Sequence, residues 1–525
     1  MKILFLTALY LFPLTLLAQT DDAKKYAATI TRDDLQKHLT IVAGAEMEGR
    51  ETGTPGQRKA AAYIEAQFKL LGLQAAPQLN GYQQPFPIYK DTLINTTLKI
   101  GKKNYAFGKD FILNPSAAQN GEIKSKQIVF VGYGITDSNY NDYTGKDVTG
   151  KIVVFFTGEP KVNDKYLVTG TTKSSVWGFN GLARKAILAE QNGAVAALVV
   201  NPAMQNILPG SVESARKTKV YFSRDESEKI NYATILPEVA KGIFGEKLFT
   251  EILNKASAGE PLNNTTALVK SKVKFVYEKQ QIINYASNVI GFIEGSDKKD
   301  EYVFLTAHYD HLGKQGDKIY YGADDDGSGT VSVIEMAEAF TRAKAEGKGP
   351  RRSIVFMTVS GEEKGLWGSE YYSDNPVFPL AKTTADLNTD MVGRVDTERK
   401  TGDSLNYVYV IGHDKLSSDL DVINKKINEK YIDLTLDYKF DDPNDKERIY
   451  YRSDHYNFAR KGVPVLFFYD GMLKADYHKP TDTVDKINWD LYQKRVRYIF
   501  LTAWEIANRE DMLKRDIPLP ENDVR

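Results

Sequence analysis

The second half of the chain is built on five short runs of β character: YVFLTAHYD, SIVFMTVS, TADLNTDMVG, NYVYVIG and VPVLFFY. Helical stretches separate them. One spans Val331–Ala345, with Ile334, Ala337 and Phe340 on one face; others run through Val422–Ile427 and Leu491–Ala507. The runs are apolar without a polar alternate, so neither face of these strands has a solvent side. A sheet of that kind is mostly parallel and covered by helices on both sides. The rhythm therefore predicts an α/β fold, a three-layer α/β/α sandwich around a mostly parallel central sheet.

Ligands in open sheets of this class collect outside the carboxyl ends of the strands. Here those ends carry the chemistry. The first run ends in His308, Asp310 and His311, and the next element opens with GADDDGSG, which holds Asp324, Asp325 and Asp326. SIVFMTVS leads to Glu362 and Glu363, TADLNTDMVG reaches Asp390, and VPVLFFY is followed by Asp476, His478 and Asp482. Each signal alone has a bland reading. A lone His-x-Asp is mostly a surface pair, and a Glu-Glu doublet is usually a helix start, favoured by the macrodipole.

Together they pose an electrostatic problem. Two carboxylates about 4 Å apart repel by ~4 kcal/mol at an effective dielectric near 20. Five converging carboxylates would protonate or move apart unless divalent cations reversed the sign. The chain has no cysteine, so thiolate ligands are excluded and any metal must be held by His, Asp and Glu. Two imidazoles with carboxylates suit zinc, for which cobalt or manganese can substitute. A carboxylate bridging two ions is the arrangement of hydrolytic two-metal sites.

Other candidates read as structural. His311 is expected to be a loop residue or pocket wall, and His413-Asp414 to start a helix. Ser453-Asp454-His455 has the composition of a serine triad, but three consecutive residues cannot converge on one substrate atom. Asp454 is instead a good residue to open a helix.

At 525 residues the chain is long enough for two or three domains. Near the start, Leu35 and Leu39 precede the turn EGRETGTPGQ, and Ala60, Ala61, Ile64, Phe68 and Leu71 follow at helical spacing. Residues 83–130 are β-rich. QIVFVGYGI, KIVVFF, a helix over Leu182–Gln191 and GAVAALVVNP then describe a self-contained α/β unit, with a polar loop expected from Asn206 to Arg224. The first residues, MKILFLTALYLFPLTLLAQ, have the n-region, apolar run and small-residue site of a cleavable signal peptide. They predict export to a periplasm or the outside. The cysteine-free sequence offers no lipid attachment there, and no later segment is apolar enough to span a membrane. Lys+Arg and Asp+Glu both number 69, and the zero net charge argues against nucleic-acid or membrane-surface partners.

AHYDHLG, GADDDGSG, SGEEKGLWGS, LNTDMVGR and YHKPTDT, in this order, resemble the di-zinc aminopeptidase family, whose relatives include bacterial leucine aminopeptidases, glutamate carboxypeptidase and the transferrin receptor. GRETGTPGQ and its helix resemble the family's first segment. TGKIVVFF and KAILAEQNGAVAALVVN are similar to a protease-associated (PA) domain. The leader-like residues place the signal peptide over 1–18, and the resemblance implies a first peptidase segment over 25–95, a β-rich PA-like α/β insert over 96–275 and a catalytic segment over 276–515. It implies two zinc ions: His308 and Asp390 on one, Glu363 and His478 on the other, Asp325 bridging. Glu362 would be the general base, Asp310 would orient His308, Tyr477 would donate to the developing oxyanion, and Arg394 would order the substrate pocket. The family often has Asn where this chain has Asp326, and in relatives the peptide after the bridging Asp is cis. The implied reaction is removal of amino-terminal residues from a peptide substrate by a hydroxide bridged between the ions. A carboxypeptidase, a dipeptidase or a single-zinc glutaminyl cyclase would use the same scaffold.

Overall fold

The computed structural model describes residues 22–114, 119–222, 230–400 and 402–519. The expected signal peptide lies outside them. The chain divides into two compact units, one of residues 1–87 with 285–525, the other of residues 88–284. The divisions fall inside two long strands, Gln83–Ile100 and Ala267–Ile293. Turn signals mark where a chain reverses, and a strand that continues through a domain limit carries none.

The first unit is α/β with a mostly parallel sheet. Its strands run in the order Thr435–Asp437, Tyr407–Ile411, Val465–Tyr469, Thr383–Thr389, Lys298–His308, Arg352–Val359, then the end of Ala267–Ile293. The four strands from Val465–Tyr469 to Arg352–Val359 are mutually parallel. Three of them are buried throughout and Lys298–His308 is buried from Val303 onward, which is why their sequences do not alternate. Neighbouring residues point to opposite helical layers. Phe304 meets Tyr372 and Phe458, on the helices Trp367–Asp374 and His455–Ala459. Phe356 meets Phe340 of the helix Gly329–Ala345, and that ring meets Phe500 of Trp489–Asn508. The third layer is thereby complete.

One buried acid in this unit is not catalytic. Glu335, on the helix Gly329–Ala345, is 2% exposed, with His38 Nε2 at 3.6 Å and the His38–Tyr63 pair beyond it. Burial, reinforced by Glu338 and Asp34, raises its carboxyl to about 8. The folded chain then keeps a proton that the unfolded chain releases near the ordinary glutamate value. Stability should fall as pH rises through that window, by about 5 kcal/mol for a shift of this size. Glu335→Gln should therefore raise the thermal unfolding midpoint more at pH 9 than at pH 5. Equal gains at both pH values would count against a protonated Glu335.

In the second unit the strands run in the order Ala267–Ile293, Gly121–Phe130, Ile152–Phe156, Ala196–Val200, Tyr232–Ile235, Phe111–Leu113. Its middle strands are parallel. Phe130, Phe156, Phe244 and Phe249 pack as an aromatic core. The segment read as a loop from Asn206 contains the helix Pro209–Arg216. Pro209 opens it, where a missing N–H costs nothing, and a helix this short shows too little periodicity to be seen in sequence.

Candidate metal centre

The four parallel strands deliver their carboxyl ends to one edge of the first unit's sheet. His308 is the last residue of its strand, Asp390 follows Thr389 directly, and Glu362 and Glu363 follow Val359 after Ser360 and Gly361. His478 comes from the loop after Tyr469, with a left-handed φ of 55°.

These side chains form two donor groups that share one carboxylate. Asp325 Oδ1 lies 3.3 Å from His308 Nε2, which is 3.5 Å from Asp390 Oδ1. Asp325 Oδ2 lies 3.2 Å from His478 Nε2, which is 3.0 Å from Glu363 Oε2. Glu362 Oε2 stands farther off, 4.0 Å from His308 Nε2. In a tetrahedral zinc site with bonds of ~2.05 Å the donors sit about 3.3 Å apart, so both spacings fit that ion. The accounting of polar atoms agrees: Asp325 Oδ2 and Glu363 Oε1 are buried without a hydrogen-bond partner.

The charges interact strongly. Burial lowers His308, yet Asp390, Glu362 and Asp325 outweigh it and hold the ring well above its usual range. Burial also opposes His478, but Asp325 and Glu363 raise it to about 10. Burial would raise Asp325; its two imidazoles carry it well below the carboxylate range instead. Glu362 moves the other way, pushed well up by burial and by the charges of Glu363 and Asp390, against the pull of His308. Each imidazole is thus drawn toward its charged form by carboxylates that call for positive charge.

The rest of the acidic triplet does structural work. Asp326 accepts from the backbone N–H groups of His308, Gly329 and Met391, tying two strand ends to the first residue of the helix Gly329–Ala345. Asp324 accepts from Gly393 N–H at 2.8 Å. Asp482 accepts from the N–H groups of Asp324 and Asp325. The Asp325–Asp326 peptide is cis, as the resemblance implied. From the early GRETGT motif, buried Arg50 donates to the carbonyls of Tyr309, Val42, Tyr321 and Gly322. Thr52 donates to Asp310 Oδ2 at 2.6 Å.

Several expected roles shift. His308 Nδ1 is nearer the carbonyl oxygen of Asp310, at 3.1 Å, than its carboxylate, at 3.7 Å. That carboxylate accepts from Thr52 and from Glu362 N–H at 3.2 Å, so Asp310 positions Glu362 as well as His308. Arg394 is turned away: it pairs with Asp476 at 2.8 Å, because that carboxylate lies within reach and draws the guanidinium from the pocket. The arginine of the cavity wall is Arg452. With Tyr477, Glu362, Asp390 and Asp325 it encloses a space of about 30 Å³, enough for a water molecule. Tyr477 is half-buried there, and its hydroxyl accepts from Arg452 Nη2 at 3.2 Å.

His311 is no mere wall. It is fully buried, its Nδ1 is 2.8 Å from Glu363 Oε1, and it misses the alignment of a hydrogen bond. Ser453, Asp454 and His455 diverge. Ser453 donates to Asp390 Oδ2 at 2.7 Å and Asp454 accepts from Ser369, while His455 stacks on Phe467. No triad forms. His413 lies before the helix Asp419–Tyr431 rather than in it, packed on Tyr438 and paired with Asp441. Lys415 already supplies the positive charge there, 2.9 Å from Asp441.

Residues 288–503 match Peptidase family M28. The chain is 29% identical over 215 residues to a probable leucine aminopeptidase of Arthroderma otae, a match covering 40% of this chain and 55% of that one. It is 29% identical over 226 residues to a probable glutamate carboxypeptidase of Zea mays, covering 41% and 29%. The matched region is thus about half the length of the first relative and under a third of the second. The solved structure of an aminopeptidase from Aneurinibacillus sp. strain AM-1 shares the fold at a TM-score of 0.52 and 20% identity, covering 95% of this chain and 100% of that one.

Proposed function

We propose that this chain, whose residues 288–503 match Peptidase family M28, is an exported zinc-dependent metallopeptidase that carries two zinc ions and removes amino-terminal residues from peptides. One observation carries the reading: the two oxygens of Asp325 face two separate donor groups. His308 and Asp390 would hold one ion, Glu363 and His478 the other, and Asp325 both. When bound, the metal pair supplies Lewis acidity, lowering the pKa of water toward 7 and polarising the scissile carbonyl.

The chain's own groups do the rest. Glu362, beside both donor groups and in neither, takes the proton of the attacking water and returns it to the leaving amine. Asp310 holds Glu362 through its backbone N–H. Ser453 fixes the second oxygen of Asp390. Burial and the neighbouring Asp325 and Glu362 charges raise the Tyr477 phenol, so it stays protonated. Because its oxygen already accepts from Arg452, its proton is available to a developing oxyanion. The unit over residues 88–284 we assign to the protease-associated type on TGKIVVFF and KAILAEQNGAVAALVVN. Export rests on the leader-like first residues; among the described residues no helix is long and apolar enough to cross a membrane.

Metal analysis beside a panel of free and amino-blocked peptides tests the proposal. The expected result is two zinc ions per chain and cleavage lost when the amine is blocked. Cleavage that survives amine blocking but stops when the carboxyl end is amidated would replace it with a carboxypeptidase. Arg452 favours that second reading, since a guanidinium in the cavity wall can pair with a terminal carboxylate.

A further inference from the structure

Zero net charge conceals a segregation. Residues 88–284 hold 26 Lys and Arg against 18 Asp and Glu, a formal charge of +8, which leaves −8 for the rest of the chain. Part of the excess is gathered in one place. A cavity of about 1020 Å³ in this unit is lined by Lys99, Lys124, Lys126, Lys151, Lys270, Lys272 and Lys274, with no carboxylate among its lining residues.

The lysines come from three neighbouring strands, Gln83–Ile100, Gly121–Phe130 and Ala267–Ile293. Lys274 is directly opposite Lys124 in the antiparallel pairing, where like charges are destabilising. Glu122 relieves that one contact, at 2.9 Å from Lys124 and 3.1 Å from Lys274, and Asp147 pairs with Lys151 at 2.6 Å. Lysines often guard an open sheet edge, but that reading fails here. The strand Ala267–Ile293 is paired with Gly121–Phe130 on one side and Gln83–Ile100 on the other.

We propose that this cavity binds an extended acidic polypeptide segment. Alternate residues of a strand stand about 6.7 Å apart, so Lys124/Lys126 and Lys272/Lys274 repeat at the spacing of same-side carboxylates on an extended peptide, while Lys270 stands beyond a register irregularity that breaks the repeat before Val273. The lining offers no aromatic face on which a base could stack. Val273 is its one apolar side chain, too little for an acyl chain. Lysine ammonium groups act as point charges suited to single carboxylates. This site is independent of the peptidase reading and stands or falls without it.

The test is fluorescence anisotropy of the full chain with a labelled glutamate peptide of about ten residues, blocked at both ends, between about 20 and 200 mM salt. Saturable, salt-sensitive binding is expected. The variant K124Q/K126Q/K270Q/K272Q should bind about 30-fold more weakly, the loss of four exposed ion pairs. K165Q/K173Q/K247Q/K255Q removes the same charge from exposed sites elsewhere in the unit and should bind nearly as well as the parent. Absence of saturable binding, or equal loss in both variants, would overturn the proposal. So would groove-dependent binding of anionic phospholipid vesicles or duplex DNA tighter than that of the peptide.

Discussion

Glu362→Gln is expected to cut turnover by ~100-fold or more, the scale of losing a general base, while the protein still binds two zinc ions per chain. Both halves follow from the geometry. Glu362 Oε2 lies 4.0 Å from His308 Nε2, whereas each proposed imidazole ligand meets its carboxylate ligands at 3.0–3.5 Å. Its carboxyl faces the small cavity with Arg452 and Tyr477. Gln keeps the size and the backbone N–H bond to Asp310 but cannot accept a proton from water and pass it on. KM should change little, since the side chain acts on water rather than on the peptide. The decisive measurement is kcat beside zinc content by atomic emission. Wild-type turnover in the Gln variant would remove Glu362 from the mechanism, and lost zinc would make it a ligand.

Asp325→Asn should be more damaging, and for a different reason. A carboxylate presents an acceptor at each end; a carboxamide presents one acceptor and one donor. Since Oδ1 faces His308 and Oδ2 faces His478, either orientation of Asn places an NH2 group against one donor set. Zinc content should fall from two toward one per chain. Turnover should fall by ~1000-fold, about 4 kcal/mol of lost metal assistance. Asp326→Asn is the control: that side chain only accepts from three backbone N–H groups, and an Asn oxygen can keep part of this. Two tightly held ions in the Asp325 variant, or the loss appearing in the Asp326 variant alone, would move the bridge to its neighbour.

These two aspartates also mark how far sequence reasoning reaches. Three adjacent Asp residues are chemically alike, and family resemblance alone singled out the middle one. The strand ends were legible because burial on both faces leaves an unmistakable apolar run, and His308, Glu362, Glu363 and Asp390 sit where those runs stop. Arg50 and Thr52 were not legible as supports, since all their partners named above except the Val42 carbonyl lie more than 250 residues away. His311 carried a signal, its place directly after Asp310 in AHYDH, but an ordinary loop histidine writes the same letters. Arg394 was misplaced because Asp476 is distant in sequence and adjacent in space.

The amino-acid sequence by itself determined the layered α/β class, the exclusion of thiolate ligands and the gathering of His and carboxylate side chains at one edge of a sheet. Those follow from hydrophobic period and residue chemistry, which are local properties. Tertiary structure alone decided which oxygen of Asp325 faces which histidine, what Ser453 and Asp310 hold in place, and that a chain of zero net charge keeps a cavity walled by lysines. Each of these depends on distances between segments that do not adjoin in the chain. Coulomb and hydrogen-bond energies depend on separation in space, and the order of residues does not specify it.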